Sequence, residues 1–288
     1  MDTTIQQMTL YELMTAVGTL LGPIIGVLTA FYLVRADRRK ETKKEAKRLS
    51  LVRRSLLEAV RHLSKAIENQ NKGLKTYIEA IQQDETNIYR FPVVIAIKPN
   101  RFREFLQTDI YNILTKLETK QDEETHGIYN NFMTSIDTTE FLFDQLLQLR
   151  QDTITKHSTN LKAINDINNK MFHVALAARS FPKTNGEKAN SDNALAFYQK
   201  QLKTQRRENE TDFDYYRNNF ITPFVQQRED LTKSQLGLEL FFIAVEGRNV
   251  ADDEDHLIDS TISLLEHTIN GLNETKTILD RTASKLDD

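Results

Sequence analysis

The sequence predicts an all-α protein: one N-terminal transmembrane helix followed by an elongated cytoplasmic helical bundle with coiled-coil-like segments. Three observations carry that expectation. Residues Leu13 to Val34 form an uncharged, mostly apolar run, and a dense basic stretch follows it at once. Most of the remaining chain repeats its apolar residues at helical spacing, in places by alternating steps of three and four. The one strand-like run, Phe91–Pro99, is bracketed by Pro92 and Pro99 and reads as an extended connector packed on helices.

The apolar run, LMTAVGTLLGPIIGVLTAFYLV, is long enough as a helix to cover about 33 Å, sufficient for the hydrocarbon core of a bilayer. A cleaved secretory signal would carry basic residues ahead of a shorter core. Here no Lys or Arg precedes Arg35, and the charges fall on the far side. Thr9 and Glu12 make a capping-box pattern for the start of the helix, and Tyr11 and Tyr32 suit the two interfaces. Gly18, Gly22, Gly26 and Ala30 recur at four-residue spacing on one helix face. Without bulky side chains there, two backbones approach closely and gain dispersion contacts, which predicts a homo-oligomer. Pro23 lies beside Gly22, so the same residues also suit a kink.

The segment 35–54, RADRRKETKKEAKRLSLVRR, holds ten Lys/Arg against three acids, whereas only Asp2 and Glu12 are charged before it. The positive-inside rule then makes residues 1–12 a short extracytoplasmic tail and residues 55–288 a cytoplasmic helical domain, anchored in the plasma (inner) membrane. Arg35, Arg38, Arg39, Lys40, Lys43 and Lys44 stand nearest the span and are expected to hold anionic lipid head groups, at about 1 kcal/mol each. The formal net charge of the whole chain is −3, so the remainder from Ser55 is acidic and the basic stretch is a local collar. Its residue types also suit nucleic acid, but beside a membrane helix topology and lipid account for them, and no nucleic-acid partner is expected.

Along the cytoplasmic part, Leu49, Val52, Leu56, Ala59, Leu63 and Ala66 follow coiled-coil steps, weaken after Gln70 and resume at Leu74, Tyr77 and Ile81. No Gly or Pro separates this seam from the collar, which predicts one helix through both. A helix from Arg101 to Lys116 follows, then an acidic break at Gln121–Gly127. The longest periodic stretch runs from Ile128 through Phe132, Ile136, Phe143, Leu146, Ile154, Leu161, Ile164, Ile167, Met171 and Val174 to Ala178. Ser180–Asn193 has the composition of a loop. Helices are then expected over Ala194–Phe220, ended or kinked by Pro223, over Phe224–Val245, and over Asp253–Leu286 after the acidic start ADDEDH.

The chemistry is sparse. With no cysteine there is no disulfide, thiol nucleophile or Cys-type zinc site. Asn209 and Asn273 head N-E-T patterns that matter only for the opposite topology. Glu123-x-x-His126 and Asp253-x-x-His256 resemble in part the Glu-x-x-His ligands of di-iron bundles. Both fall at expected helix starts, where acids favour the positive end of the dipole, so no metal or cofactor is expected. His173 lies among Met171, Phe172 and Val174 as a packed histidine, and no Ser/His/Asp arrangement is discernible.

Arg150 and His157 remain, in RQDTITKH. That segment resembles the R-x4–6-H signature of HEPN-type ribonucleases, helical proteins in which Arg and His of two protomers meet to cleave RNA. Seven residues is two turns, so both side chains share a helix face. Gln151 departs from the Asn, Asp or His often found after the arginine, and a solvated pair beside the seam explains the same residues. The expectation is therefore a membrane-anchored interaction, scaffold or sensor protein with a cytoplasmic protein partner and no enzymatic activity. The alternatives are an oligomeric membrane effector of the pore or lesion type, and a membrane-bound ribonuclease using Arg150 and His157.

Overall fold

A computed structural model describes residues 10–94, 107–116, 122–178, 185–205 and 212–287, together with Phe102, Glu104 and Phe105. Of residues 10–28, 85–86, 115–116, 122–126, 185–186 and 212 the backbone alone is described. Among the described residues there are helices and connectors and no strand, a helical bundle. The chain divides into two compact units, one of Met1–Ala59, Asn100–Tyr129 and Ala283–Asp288, the other of Val60–Pro99 and Asn130–Thr282.

Helix α1 runs Leu10–Gln83, through the collar without a break. Its buried seam is Leu56, Val60, Leu63, Ile67, Gln70, Leu74, Tyr77 and Ile81, in steps of four and three. The expected seam is therefore one residue out at Ala59 and Ala66, which are only half-buried. Alanine satisfies an apolar pattern, but Val60 and Ile67 beside it fill the interior. Nor does the seam weaken at Gln70, which is itself buried in it.

A 3-10 turn, Glu85–Arg90, closes the end of α1. The Tyr77 hydroxyl donates to the Ile88 carbonyl at 2.5 Å, and Asn87 Nδ2 donates to the Ala80 carbonyl at 3.0 Å. Burial pushes the Tyr77 hydroxyl pKa up. Phe91 packs on Tyr77, with ring centroids 4.9 Å apart, and Val94 is buried while Val93 is exposed. The extended connector is thus borne out for Phe91–Val94; Ile95–Pro99 lie outside the described residues.

Helix α2, Gln107–Lys116, is shorter than the expected 101–116 and buries Ile110, Ile113 and Leu114. Helix α3 runs Asp122–Ala177. The acidic residues expected to break the chain are instead its first turn, where the backbone N–H groups favour negative charge. From Phe132, α3 holds one register: Ile136, Thr139, Phe143, Leu146, Arg150, Thr153, His157, Asn160, Ile164, Ile167, Met171, Val174 and Ala178, each buried or half-buried.

Helix α4, Asn185–Leu202, begins inside the segment expected to be a loop. Its polar residues cover the outer faces, while Ser191, Ala194 and Tyr198 are buried. Beyond it lie α5, Asp212–Tyr216, and a π-helical turn, Arg217–Ile221. Then come α6, Thr222–Gln226, and α7, Arg228–Leu231. Pro223 explains the π turn. It has no N–H to offer the Asn219 carbonyl, and the ladder widens so that the Thr222 N–H reaches the Arg217 carbonyl.

Helix α8, Gln235–Asp287, fuses the later part of the helix expected over Phe224–Val245 with the one expected over Asp253–Leu286, while Phe224–Leu231 fall in α6 and α7. ADDEDH is therefore mid-helix and not a start. Ala251 and Glu254 face inward there, while Asp253 and His256 are exposed. The buried face of α8 pairs an aliphatic row, Ala251, Ile258, Leu265, Leu272 and Leu279, with a polar row, Glu254, Thr261, Thr268, Thr275 and Thr282. Thr268, Thr275 and Thr282 donate to carbonyls of their own helix, at 2.8, 2.9 and 2.9 Å, so their burial leaves no orphaned hydroxyl.

Within the second unit, α8 is antiparallel to both α1 and α3. Against α1, Ser64 bonds Asp280 and Asn71 Nδ2 donates to Asn273 Oδ1 at 2.9 Å. Against α3, Thr153 meets Thr261 and Lys170 pairs with Glu246. At the other end of the unit, Met171, Ala175, Tyr198, Phe220, Phe224, Leu231, Leu240 and Ala244 form an apolar cluster from α3 to α8. The Tyr198 hydroxyl lies in that cluster without a partner, its pKa pushed up to about 12 by burial and, secondarily, by Tyr216.

Ser234 caps α8, its Oγ accepting the Gly237 N–H at 3.1 Å. Ser234→Ala is expected to cost about 1 kcal/mol, read from the shift in urea midpoint; an unchanged midpoint would show that the cap contributes nothing.

Candidate functional site

Two places in the described residues combine exposure or polarity with a feature that folding alone does not require. The first is the N-terminal part of α1 in the first unit. Phe31, Tyr32, Leu33 and Val34 are 66, 73, 57 and 51% exposed. Four consecutive helical residues point in all directions at about 100° apart, so protein covers no side of the helix there. Arg35, Arg38, Arg39, Lys40, Lys43 and Lys44 follow immediately, and all are exposed.

Among the described residues no helix is long and apolar enough to cross a membrane. The run Leu13–Val34 lies outside that description in its side chains as far as Leu28, and so do Gly18, Gly22 and Gly26 of the small-residue face; Ala30 is described and exposed.

The collar's charge turns inward at Arg48. Its guanidinium makes two 2.7 Å bonds to Asp109 of α2 and also pairs with Glu45. Planar two-point pairing of this kind fixes orientation as well as distance. Arg53 Nε donates to the Leu286 carbonyl at 2.8 Å, so a second collar cation serves the fold.

The hydrogen bonds from Arg48 hold the buried Asp109 carboxyl below the usual carboxylate range, outweighing the opposing effect of burial. A carboxyl with a depressed folded pKa contributes its full stabilisation above the unfolded value of about 3.9 and loses it as pH falls through that region. The protection of α2 amides, their exchange rate relative to the intrinsic rate at the same pH, is therefore expected to fall below about pH 4. Asp109→Asn should show the low protection already at neutral pH; a variant with full protection at neutral pH would separate α2 docking from the Arg48 pair.

The second place is a polar layer in the second unit. His157 Nδ1 lies 2.5 Å from Glu254 Oε1, and Asn160 Nδ2 donates to Glu254 Oε2 at 2.7 Å. Glu254 is buried, so both of its oxygens are engaged inside the protein. Tyr89 stacks on the imidazole with centroids 6.5 Å apart. One turn away on α3 and two turns away on α8, the Thr153 and Thr261 hydroxyls are 3.2 Å apart. On the neighbouring position of α8, Asp255 receives both guanidinium nitrogens of Arg217, at 2.8 and 2.7 Å. Arg217 opens the π turn and lines a cleft of about 290 Å³ with Thr222, Gln226, Arg248 and Asp252 over Ile221 and Ala251. Both arginines of the cleft already have aspartate partners.

Arg150 and His157 are thus placed in the α3 seam and not beside it. Each takes the register position held elsewhere by Ile136, Phe143, Ile164 and Met171, and the seven-residue spacing is that of the seam. Arg150 Nε is buried without a hydrogen-bond partner. Sequence reasoning missed Glu254, yet a signal was available: it stands seven residues before Thr261 in a polar row that continues to Thr282.

Among the described residues, no group of three or more His, Cys, Asp or Glu is arranged to hold a metal ion. No known protein family, curated protein or solved structure matches the chain.

Proposed function

We propose that this chain is a single-pass membrane-anchored interaction protein whose helical domain lies on the cytoplasmic side. The observation that carries the reading is the uncovered apolar turn Phe31–Val34, directly followed by exposed basic residues. A helix apolar on every side is at rest inside a large protein or inside lipid, and no protein packs on Phe31–Val34. The collar then meets anionic head groups, and Gly18, Gly22, Gly26 and Ala30 bring copies together in the membrane. The seams of α1, α3 and α8 supply a scaffold, and its outer faces are the surface offered to a protein partner.

Two experiments test this. The full chain should float with phosphatidylcholine vesicles, resist carbonate extraction, and bind more strongly when phosphatidylserine is included; recovery in the soluble fraction would end the reading. In detergent, the intact protein should have the mass of a defined oligomer, and a Gly18→Leu/Gly22→Leu/Gly26→Leu variant that of a monomer. A wild-type monomer would remove self-association through this face while leaving the anchor in place. Dye leakage from vesicles by the oligomer alone would extend the reading to a membrane effector.

A further inference from the structure

We propose that α3 has two seams over its central turns, and that the polar layer around Glu254 selects between them. The seam in place from Leu146 to Ile164 is Leu146, Arg150, Thr153, His157, Asn160 and Ile164. Its four central positions are polar. Immediately beside them, Leu147, Ile154 and Leu161 recur at seven-residue spacing on the flank. Leu147 is 40% exposed, Ile154 is 36% exposed, and Leu161 is half-buried. The local pattern and the fold therefore disagree, with four polar residues inside and Leu147 and Ile154 at the surface, while Leu161 packs against the cluster of Ile164, Phe213, Ile221 and Ala251.

A second seam obeys the same alternation: Leu147, Arg150, Ile154, His157, Leu161 and Ile164. It is reached by turning this part of α3 about 50° around its axis, from the 100° per residue of a helix. Local over- or underwinding of this size occurs where a heptad pattern slips. The turn carries Thr153 and Asn160 toward water and Leu147 and Ile154 toward α8, while Leu161 already packs against the cluster that holds Ala251. The flank at the corresponding positions on either side holds Glu140 and Asn168, so the alternative seam is confined to this segment.

Three hydrogen-bonded contacts to α8 hold the present seam: Thr153 with Thr261, His157 with Glu254, and Asn160 with Glu254. Two of them converge on one carboxylate, which makes Glu254 the pin. The present seam also leaves Arg150 Nε buried without a partner, a cost this packing carries. Two packings of one sequence separated by a small free energy are the physical requirement for a switch.

The chain has no native cysteine, which allows a direct test. Thr153→Cys/Thr261→Cys reports the present seam and Ile154→Cys/Thr261→Cys the alternative, each as a rate of disulfide formation in otherwise full-length protein. With Glu254 in place the first pair should oxidise faster. In a Glu254→Leu background the ratio of rates should move about tenfold or more toward the second pair, the mark of a shifted two-state population. Adding Leu147→Gln should reverse that move, because Leu147 is exposed in the present seam and would pack only in the alternative one. Circular dichroism checks that each variant is folded, and Glu254→Gln, which keeps the side-chain volume, decides the matter if Glu254→Leu does not fold. A ratio unchanged in the folded Glu254 variants would overturn the proposal, as would a shift that Leu147→Gln leaves in place.

Discussion

Replacing Phe224 by alanine is expected to cost about 4 kcal/mol, within the range for deleting a fully buried phenyl ring. Phe224 has no exposed surface, and its ring meets Phe197 edge-on at 4.9 Å and Tyr198 at 6.2 Å. Elements from α3, α4, the π turn, α6, α7 and α8 all contribute to the cluster around it. Collapse into the vacated space is restricted, because Pro223 and the π turn fix the backbone on one side and the Tyr198 hydroxyl lacks a partner on the other. The loss should appear as a lower urea midpoint with an unchanged slope, the sign that the denatured state is the same. A loss below about 1 kcal/mol would mean that the cluster is not the core of this end of the unit.

Gly237→Ala should be nearly as damaging, at about 3 kcal/mol, the upper end for overpacking. A Cβ at this position would stand 1.9 Å from the Leu231 carbonyl oxygen and 2.7 Å from its carbon. Both are backbone atoms, so no side-chain rotation relieves the overlap, and α7 must move from the start of α8. Gly73→Ala is the control: a Cβ there meets nothing within 4 Å, and Gly73 lies inside α1. Alanine should stabilise that site by up to about 1 kcal/mol through helix propensity. Equal effects of the two substitutions, measured by thermal unfolding, would remove the close approach at Gly237.

The helical character of the chain was legible because its periodicity is long and its breakers few. Leu56 and Leu63 of α1, and Ile258, Leu265, Leu272 and Leu279 of α8, stand in the seam where their spacing placed them. Composition failed where polarity was mistaken for irregularity. Asn185–Asn193 reads as a loop, yet one buried side in three or four positions, here Ser191 and Ala194, is enough to hold a helix against a core. ADDEDH reads as a helix start because acids collect there, but Asp252 and Asp253 equally serve the outer face of a continuous helix, and Glu254 faces inward.

The candidate site was less legible. Arg150 and His157 were found by motif, while their place in the seam was hidden by Ile154 and Leu161, which drew the apparent apolar face one position round the helix. Glu254 could not be paired with His157 from sequence, because the partner lies nearly a hundred residues away and depends on the antiparallel register of α3 and α8.

The inward turn of Arg48 sets a distance scale on α1. From Val34 to Arg48 is about 21 Å along the helix, more than two screening lengths of about 8 Å at physiological ionic strength. Only the first of the collar cations stands two such lengths from the pair that docks α2; Lys44 is about 6 Å along the helix from Arg48, inside one screening length. What separates attachment of the chain to a charged surface from attachment of α2 to α1 is therefore the two-point bonding of Arg48 to a buried carboxylate and not distance alone. Salt that loosens the first should leave the second intact, and acid that opens the second should leave the lysines and arginines of the first fully charged.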